Sequence, residues 1–155
     1  MKTQLLLISI FLLMLSVGCE KDPQNNNIVI PPTDTFPKNV EFEIIKEGGK
    51  SGHYGNKAKH VCVVNTDTAW TTMQNRVGAT IDSPINFDSS TVIVVFSQYC
   101  VSAPSTIDIV NITAFQDSVV VKEESSSCGP YLIPSQGYQM AKTRKLTKAF
   151  VLKEN

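Results

Sequence analysis

His53, His60 and Cys62 come closest, in type and spacing, to a reactive constellation in this chain. In an extended segment, His60 and Cys62 would put both side chains on one face, where an imidazole could take the proton of a thiol. With His53, the same trio offers the nitrogen and sulfur donors that zinc accepts. Both readings stop short: a cysteine nucleophile also needs a group to orient its base and donors for a developing oxyanion, and a closed zinc site usually takes four ligands. The sequence completes neither set. Gly49-Lys50-Ser51 imitates the end of a phosphate-binding loop, but Ile44 stands where that motif needs its first glycine and no strongly apolar helix follows. The expectation is a protein with no catalytic residue, metal or cofactor.

What must position these residues begins with an address. Met1-Lys2 precedes an apolar run from Leu5 to Val17, followed by Gly18-Cys19-Glu20. A membrane-spanning helix needs about 20 apolar residues, so this shorter run reads as a signal peptide over 1–18. Leu15-Ser16-Val17-Gly18-Cys19 resembles the lipobox of bacterial lipoproteins, in which a small residue precedes the cysteine that is lipidated and becomes the new N-terminus; Ser16 departs from the usual leucine. The resemblance implies several acyl chains on Cys19, since one chain holds a protein only marginally. Glu20-Lys21-Asp22 resembles the export signals of surface lipoproteins in the Bacteroidota. The expected location is extracytoplasmic, on the outer membrane, with exposure at the cell surface open. Residues 19–39 are rich in Asn, Pro, Asp and Thr and read as a flexible tether, leaving one small domain over 40–155.

Outside the cytoplasm, cysteines tend to pair. With Cys19 assigned to lipid, Cys62, Cys100 and Cys128 remain, enough for one bridge. If 92–97 runs up, 105–112 down and 118–123 up, Cys100 and Cys128 fall in loops at the same end, so we pair them. Closing that loop would stabilise the fold by about 3 to 4 kcal/mol on the chain-entropy model. Cys62, within Val61-Cys62-Val63-Val64, reads as a small buried hydrophobe, with pairing to Cys100 the alternative.

Without residues 1–18 the chain carries 13 basic and 14 acidic side chains. A nucleic-acid partner would need a concentrated basic field, and the two basic clusters, 46–59 and 142–148, read as solvated surface.

The alternation Val40-Glu41-Phe42-Glu43-Ile44 is that of a half-buried strand. Further strands are expected at 60–65, 91–96, 106–112, 118–123 and 148–152, and Val92 to Phe96, apolar on both faces, suits a central one. Asn65-Thr66-Asp67 offers capping side chains ahead of Trp70, Met73 and Val77, which predicts a short helix over about 66–77 with Trp70 as its anchor. The expected fold is α+β, mainly β: a single small antiparallel sheet, or a partly open barrel or sandwich, of about six or more strands with one helix packed on it.

That order of elements, with Ser51-Gly52, Asp67-Thr68-Ala69-Trp70, Ile85-Asn86-Phe87-Asp88 and Ser135-Gln136-Gly137-Tyr138, resembles the protease complex subunit PrcB family over Val40 to Lys153. Cys100-Val101-Ser102-Ala103-Pro104 and Ser135-Gln136-Gly137 depart from turns usual in that family. The resemblance implies a small β-rich accessory module with an extracytoplasmic protease as partner. The segment 46–59, holding four Gly and four Lys, reads as a long loop, and long loops are often functional. Ser51, Gly52, His53, Tyr54 and Tyr99 are the candidate protein-binding residues, with Tyr54 as an amphipathic contact, and Ser125 to Tyr131 as a neighbouring tip. The expected function is a lipid-anchored, non-catalytic protein-binding module. The alternative is a surface lipoprotein that binds carbohydrate or a small ligand. Asp67-Thr68-Ala69 and Asp117-Ser118-Val119 also resemble short acceptor sites for O-linked sugars.

Overall fold

The computed structural model describes residues 35–154 except 52, 83, 102–105 and 127–133, with Lys50 described by its backbone only. The signal peptide, Cys19, the tether through residue 34, Gly52 and Cys128 lie outside the described residues.

Among the described residues, eight strands and one helix follow one another: β1 (Lys38–Asn39), β2 (Phe42–Ser51), β3 (His60–Val64), α1 (Asp67–Val77), β4 (Ser90–Phe96), β5 (Ile107–Ala114), β6 (Ser118–Ser125), β7 (Ser135–Arg144) and β8 (Ala149–Glu154). They form two four-stranded sheets, ordered β1-β5-β6-β8 and β2-β7-β4-β3. The protein is thus mainly β with one short helix, as expected. Of the expected alternatives the two-sheet sandwich, not the single sheet or a closed barrel, is the one formed, and within it β8 runs parallel to β6. β1 also brings Lys38 and Asn39, read as tether, into the first sheet beside β5.

Hydrophobic period explains the layering. Ile93 and Val95 of β4 and Ala141 of β7 face the first sheet, where they meet Ile107, Ile109, Ile112, Val119 and Val121. The alternate residues Val92, Val94 and Phe96, with Met140, face the other way and are covered by α1 through Trp70, Met73 and Val77. β4 is therefore apolar on both faces because it is buried on both. The helix starts where Thr66 Oγ1 accepts a hydrogen bond from Ala69 N–H (3.2 Å), and it ends at Gly78, whose φ of 68° is a left-handed cap.

β7 is a central strand that the sequence conceals. Ser135-Gln136-Gly137-Tyr138-Gln139-Met140-Ala141-Lys142-Thr143-Arg144 carries neither alternation nor β-branched enrichment, yet it lies between β2 and β4 with most of its residues buried. Cross-strand packing, not intrinsic preference, makes it a strand. β2 also runs on to Ser51, so Lys46 to Ser51 of the expected 46–59 loop are strand. Its Gly48 lies opposite Tyr138, whose ring covers it: a Cβ there would stand 3.0 Å from Tyr138 Oη. The glycine admits the protein's own tyrosine rather than exposing backbone to a partner.

Candidate functional site at the tip of the second sheet

β2 and β4 end, and β3 and β7 begin, at one end of the second sheet, so Ser51, His60, Phe96 and Ser135 share that end. Three connecting segments are locked there. Gln136 is fully buried: its Oε1 accepts from Tyr54 N–H (2.8 Å) while its Nε2 donates to Asn56 O (2.9 Å) and Ser97 O (2.8 Å). Tyr99 N–H donates to Lys57 O (2.9 Å), and Cys100 and Ser135 exchange two backbone bonds. Satisfied buried donors and acceptors of this kind fix a loop, because breaking one strands a polar group away from water.

Tyr54 is consequently interior, which corrects its reading as a binding residue. It is 2% exposed, with its ring against Phe96 (5.2 Å between centroids) and Tyr138 (5.5 Å). Burial, reinforced by the Tyr138 charge, pushes its phenol up to about 12. No sequence signal marked it as core, since glycines and polar residues surround it. His53 and Tyr99 do come together as exposed and half-exposed rings 5.7 Å apart, edge to face, with Lys57 Nζ 5.5 Å from the Tyr99 centroid. Val101 follows at 65% exposure. Ser51 is exposed at the end of β2.

The reactive trio is divided. His60 and Cys62 share a face of β3, but His53 belongs to the Tyr99 contact. Arg76, which the sequence did not single out, bridges the other two: its Nη2 lies 3.2 Å from His60 Nε2 and its Nη1 3.7 Å from Cys62 Sγ, and its Nε donates to Tyr54 O. His60 Nδ1 is 2.8 Å from Ala58 O, an acceptor only, so the proton sits on Nδ1 and Nε2 accepts from Arg76. The imidazole stacks on Phe96 (4.7 Å, 12°) and the guanidinium carbon lies 4.8 Å from the same ring's centroid. The thiol is joined to the imidazole through a cation rather than a proton-transfer bond. Among the described residues, no group of three or more His, Cys, Asp or Glu side chains is placed to hold a metal.

Lys59 turns the opposite way, into the sandwich. Its ammonium meets Glu123 (2.6 Å), Glu154 (3.0 Å) and Ser125 Oγ (3.0 Å). Glu123 is 0% exposed. Burial lowers the Lys59 pKa, but hydrogen bonds to and charges of Glu123 and Glu154 outweigh it and leave it above the ordinary value. Beside this pair, Gln139 spans the two sheets, accepting from Ile109 N–H (2.6 Å) at the β5 bulge and donating to Asp108 (3.0 Å).

Cys100 is disulfide-bonded and Cys62 is free, which removes the alternative pairing of these two. The Cys128 half of the expected bridge lies outside the described residues. No described helix is long and apolar enough to cross a membrane. Comparison with known proteins finds no matching family model, no matching curated protein and no matching solved structure.

Proposed function

We propose that this protein is a lipid-anchored, non-catalytic module of the cell envelope that binds a partner protein through the tip formed by Ser51, His53, Lys57, Tyr99 and Val101. The observation that carries this reading is the locked geometry of the tip: a fully buried Gln136 and the paired Cys100–Ser135 backbone hold exposed polar and aromatic side chains on a rigid support. Such preorganisation lowers the ordering cost of association. The long outer edge of β2 is a weaker candidate. A bulge between Ile44 and Lys46 and the charged Lys46 and Glu47 interrupt it, devices that discourage strand addition. The PrcB-like resemblance supplies an extracytoplasmic protease as the class of partner. The carbohydrate-binding alternative lacks a broad aromatic platform among the described residues, because Trp70 and Tyr54 lie in the core.

Capture of the lipidated protein from its native envelope in mild detergent, beside Cys19→Ala and His53→Ala/Tyr99→Ala variants, tests the reading. A protease recovered in stoichiometric amount with the parent chain and lost from the tip variant is the expected result. No protein enriched over the Cys19→Ala control would overturn it.

A further inference from the structure

Charge is distributed unevenly around the tip. No Asp or Glu occurs in 48–66, 89–107 or 125–153, the stretches that build β3, β4 and β7 with the segments at their ends. Asp108, Glu123, Glu124 and Glu154 stand on the first sheet at this end of the sandwich, and Glu47 of β2 joins them through Gln139, while Asp67, Asp82 and Asp88 belong to α1 and the segment that follows it. Lys59, facing the first sheet, is neutralised by Glu123 and Glu154. None of the ion pairs among the described residues involves Lys57 or Arg76.

Arg76 is the more telling of these two cations. It is half-buried, and its partners are a carbonyl, a thiol, an imidazole that is already an acceptor, and an aromatic ring, none of them an anion. A guanidinium carries five N–H donors in a planar fork, and here three are engaged, leaving two. The engaged three hold the fork rigidly, so a further carboxylate could bind without the rotamer loss a free arginine suffers. Lys57 lies on the same 53–59 segment whose Tyr54 carbonyl Arg76 anchors, with its ammonium over the Tyr99 ring.

We propose that the 53–59 segment and the end of α1 that anchors it, with Arg76 and Lys57 as their two cations and His53 and Tyr99 beside Lys57, dock an acidic segment of a partner protein. The proposal rests on the protein-binding reading above and gives the partner its chemistry: side-chain carboxylates, one directed at the Arg76 fork and one at Lys57. Charge complementarity carries the choice, since an acidic segment is attracted to two cations with no carboxylate partner and repelled from the Asp108, Glu123, Glu124 and Glu154 group of the first sheet. Attraction between exposed charges is screened by salt, so affinity falls as ionic strength rises.

The test titrates the full-length protein in neutral detergent with an eight-residue peptide alternating glutamate pairs with leucine, and with its glutamine counterpart, followed by nuclear magnetic resonance. The expected result is binding of the glutamate peptide alone, with shifts at the Arg76 side-chain N–H and the Lys57 backbone. Affinity should weaken roughly tenfold in Lys57→Gln and not in Lys153→Gln, a lysine of β8. Arg76→Lys, which keeps the charge but loses the fork, should weaken binding while a thermal melt shows it folded. Equal binding of both peptides, shifts confined to other surfaces, or binding to anionic lipid vesicles but not to the peptide would overturn the proposal. In the envelope capture, a partner retained by Lys57→Gln/Arg76→Lys yet lost from His53→Ala/Tyr99→Ala would overturn acidic docking while leaving protein binding intact. Glutamate-peptide binding with no captured partner would instead overturn the accessory-module reading alone.

Discussion

The two faces of the second sheet use the same strands for different ends. Facing the first sheet, β4 and β7 contribute Ile93, Val95 and Ala141 to an aliphatic core, with Val119 and Val121 opposite. Facing the helix, the alternate positions bring Phe96, Tyr138 and Met140 against Tyr54, Trp70 and Phe87. Branched aliphatic chains interlock in the narrow space between sheets, whereas flat rings bridge the irregular space between sheet, helix and loop. The aliphatic face holds the sandwich together. The aromatic face continues outward through Tyr54, His60 and Arg76 to the tip, so it fixes the fold and orients the proposed binding residues at once. A change on the first face should therefore act on stability alone, and a change on the second on stability and binding together.

The sharpest way to strike the first face is Lys59→Ala, which leaves Glu123 with a buried charge and no cation. It should cost about 3 to 5 kcal/mol, measured by denaturant unfolding, with partner binding per folded molecule unchanged. A loss under about 1 kcal/mol would mean that the pair is not what ties β3 to the first sheet.

A smaller effect belongs to the aromatic face and to pH. Tyr54 titrates near its ordinary value of 10 when unfolded and at about 12 when folded. The folded state therefore holds its proton more tightly. The resulting stability is fully present below pH 10 and is lost as pH rises through the folded value. The loss should be on the order of 2 kcal/mol by two pH units. Tyr54→Phe should flatten that part of the alkaline unfolding curve. The remaining slope would come in part from Tyr138, whose phenol burial also raises. An unchanged alkaline slope in Tyr54→Phe would deny Tyr54 its interior place.

The smallest expected effect concerns the helix. Thr66→Ala removes the acceptor of the Ala69 N–H bond and should cost about 1 kcal/mol, read as a fall in melting temperature. Because α1 carries Arg76, the same variant should also loosen His60, visible as broadening of its imidazole resonances; unbroadened resonances would separate the helix start from the tip.

Local pattern was a good guide where local energetics decide. Thr66, Trp70, Met73 and Val77 announced α1 through a cap and a helical period, and Val92 to Phe96 announced a strand buried on both sides. β5 and β6 were visible in their β-branched runs. β7 was not, since its Gln, Lys, Arg, Met and Ala residues favour no strand until neighbours on both sides supply hydrogen bonds and packing. Of the candidate site, His53 and Tyr99 were legible as loop residues, and Tyr54 was misplaced because a tyrosine between glycines looks the same whether its ring turns inward or outward. Arg76 gave no signal at all: at the end of an amphipathic helix it reads as a solvated charge, and only the return of the 53–59 segment beneath it supplies its partners.

The amino-acid order by itself determined the element types with strong period or caps, the mainly β class, and the stretches free of carboxylates. Tertiary structure alone decided the split into two sheets, the central place of β7, the inward turn of Tyr54 and the Arg76–His60–Cys62 contact. The physical reason is range. Capping and alternation act over a few residues, whereas Gln136 reaches Tyr54 across 82 positions and Lys59 reaches Glu123 across 64, pairings that exist only once the sandwich has closed.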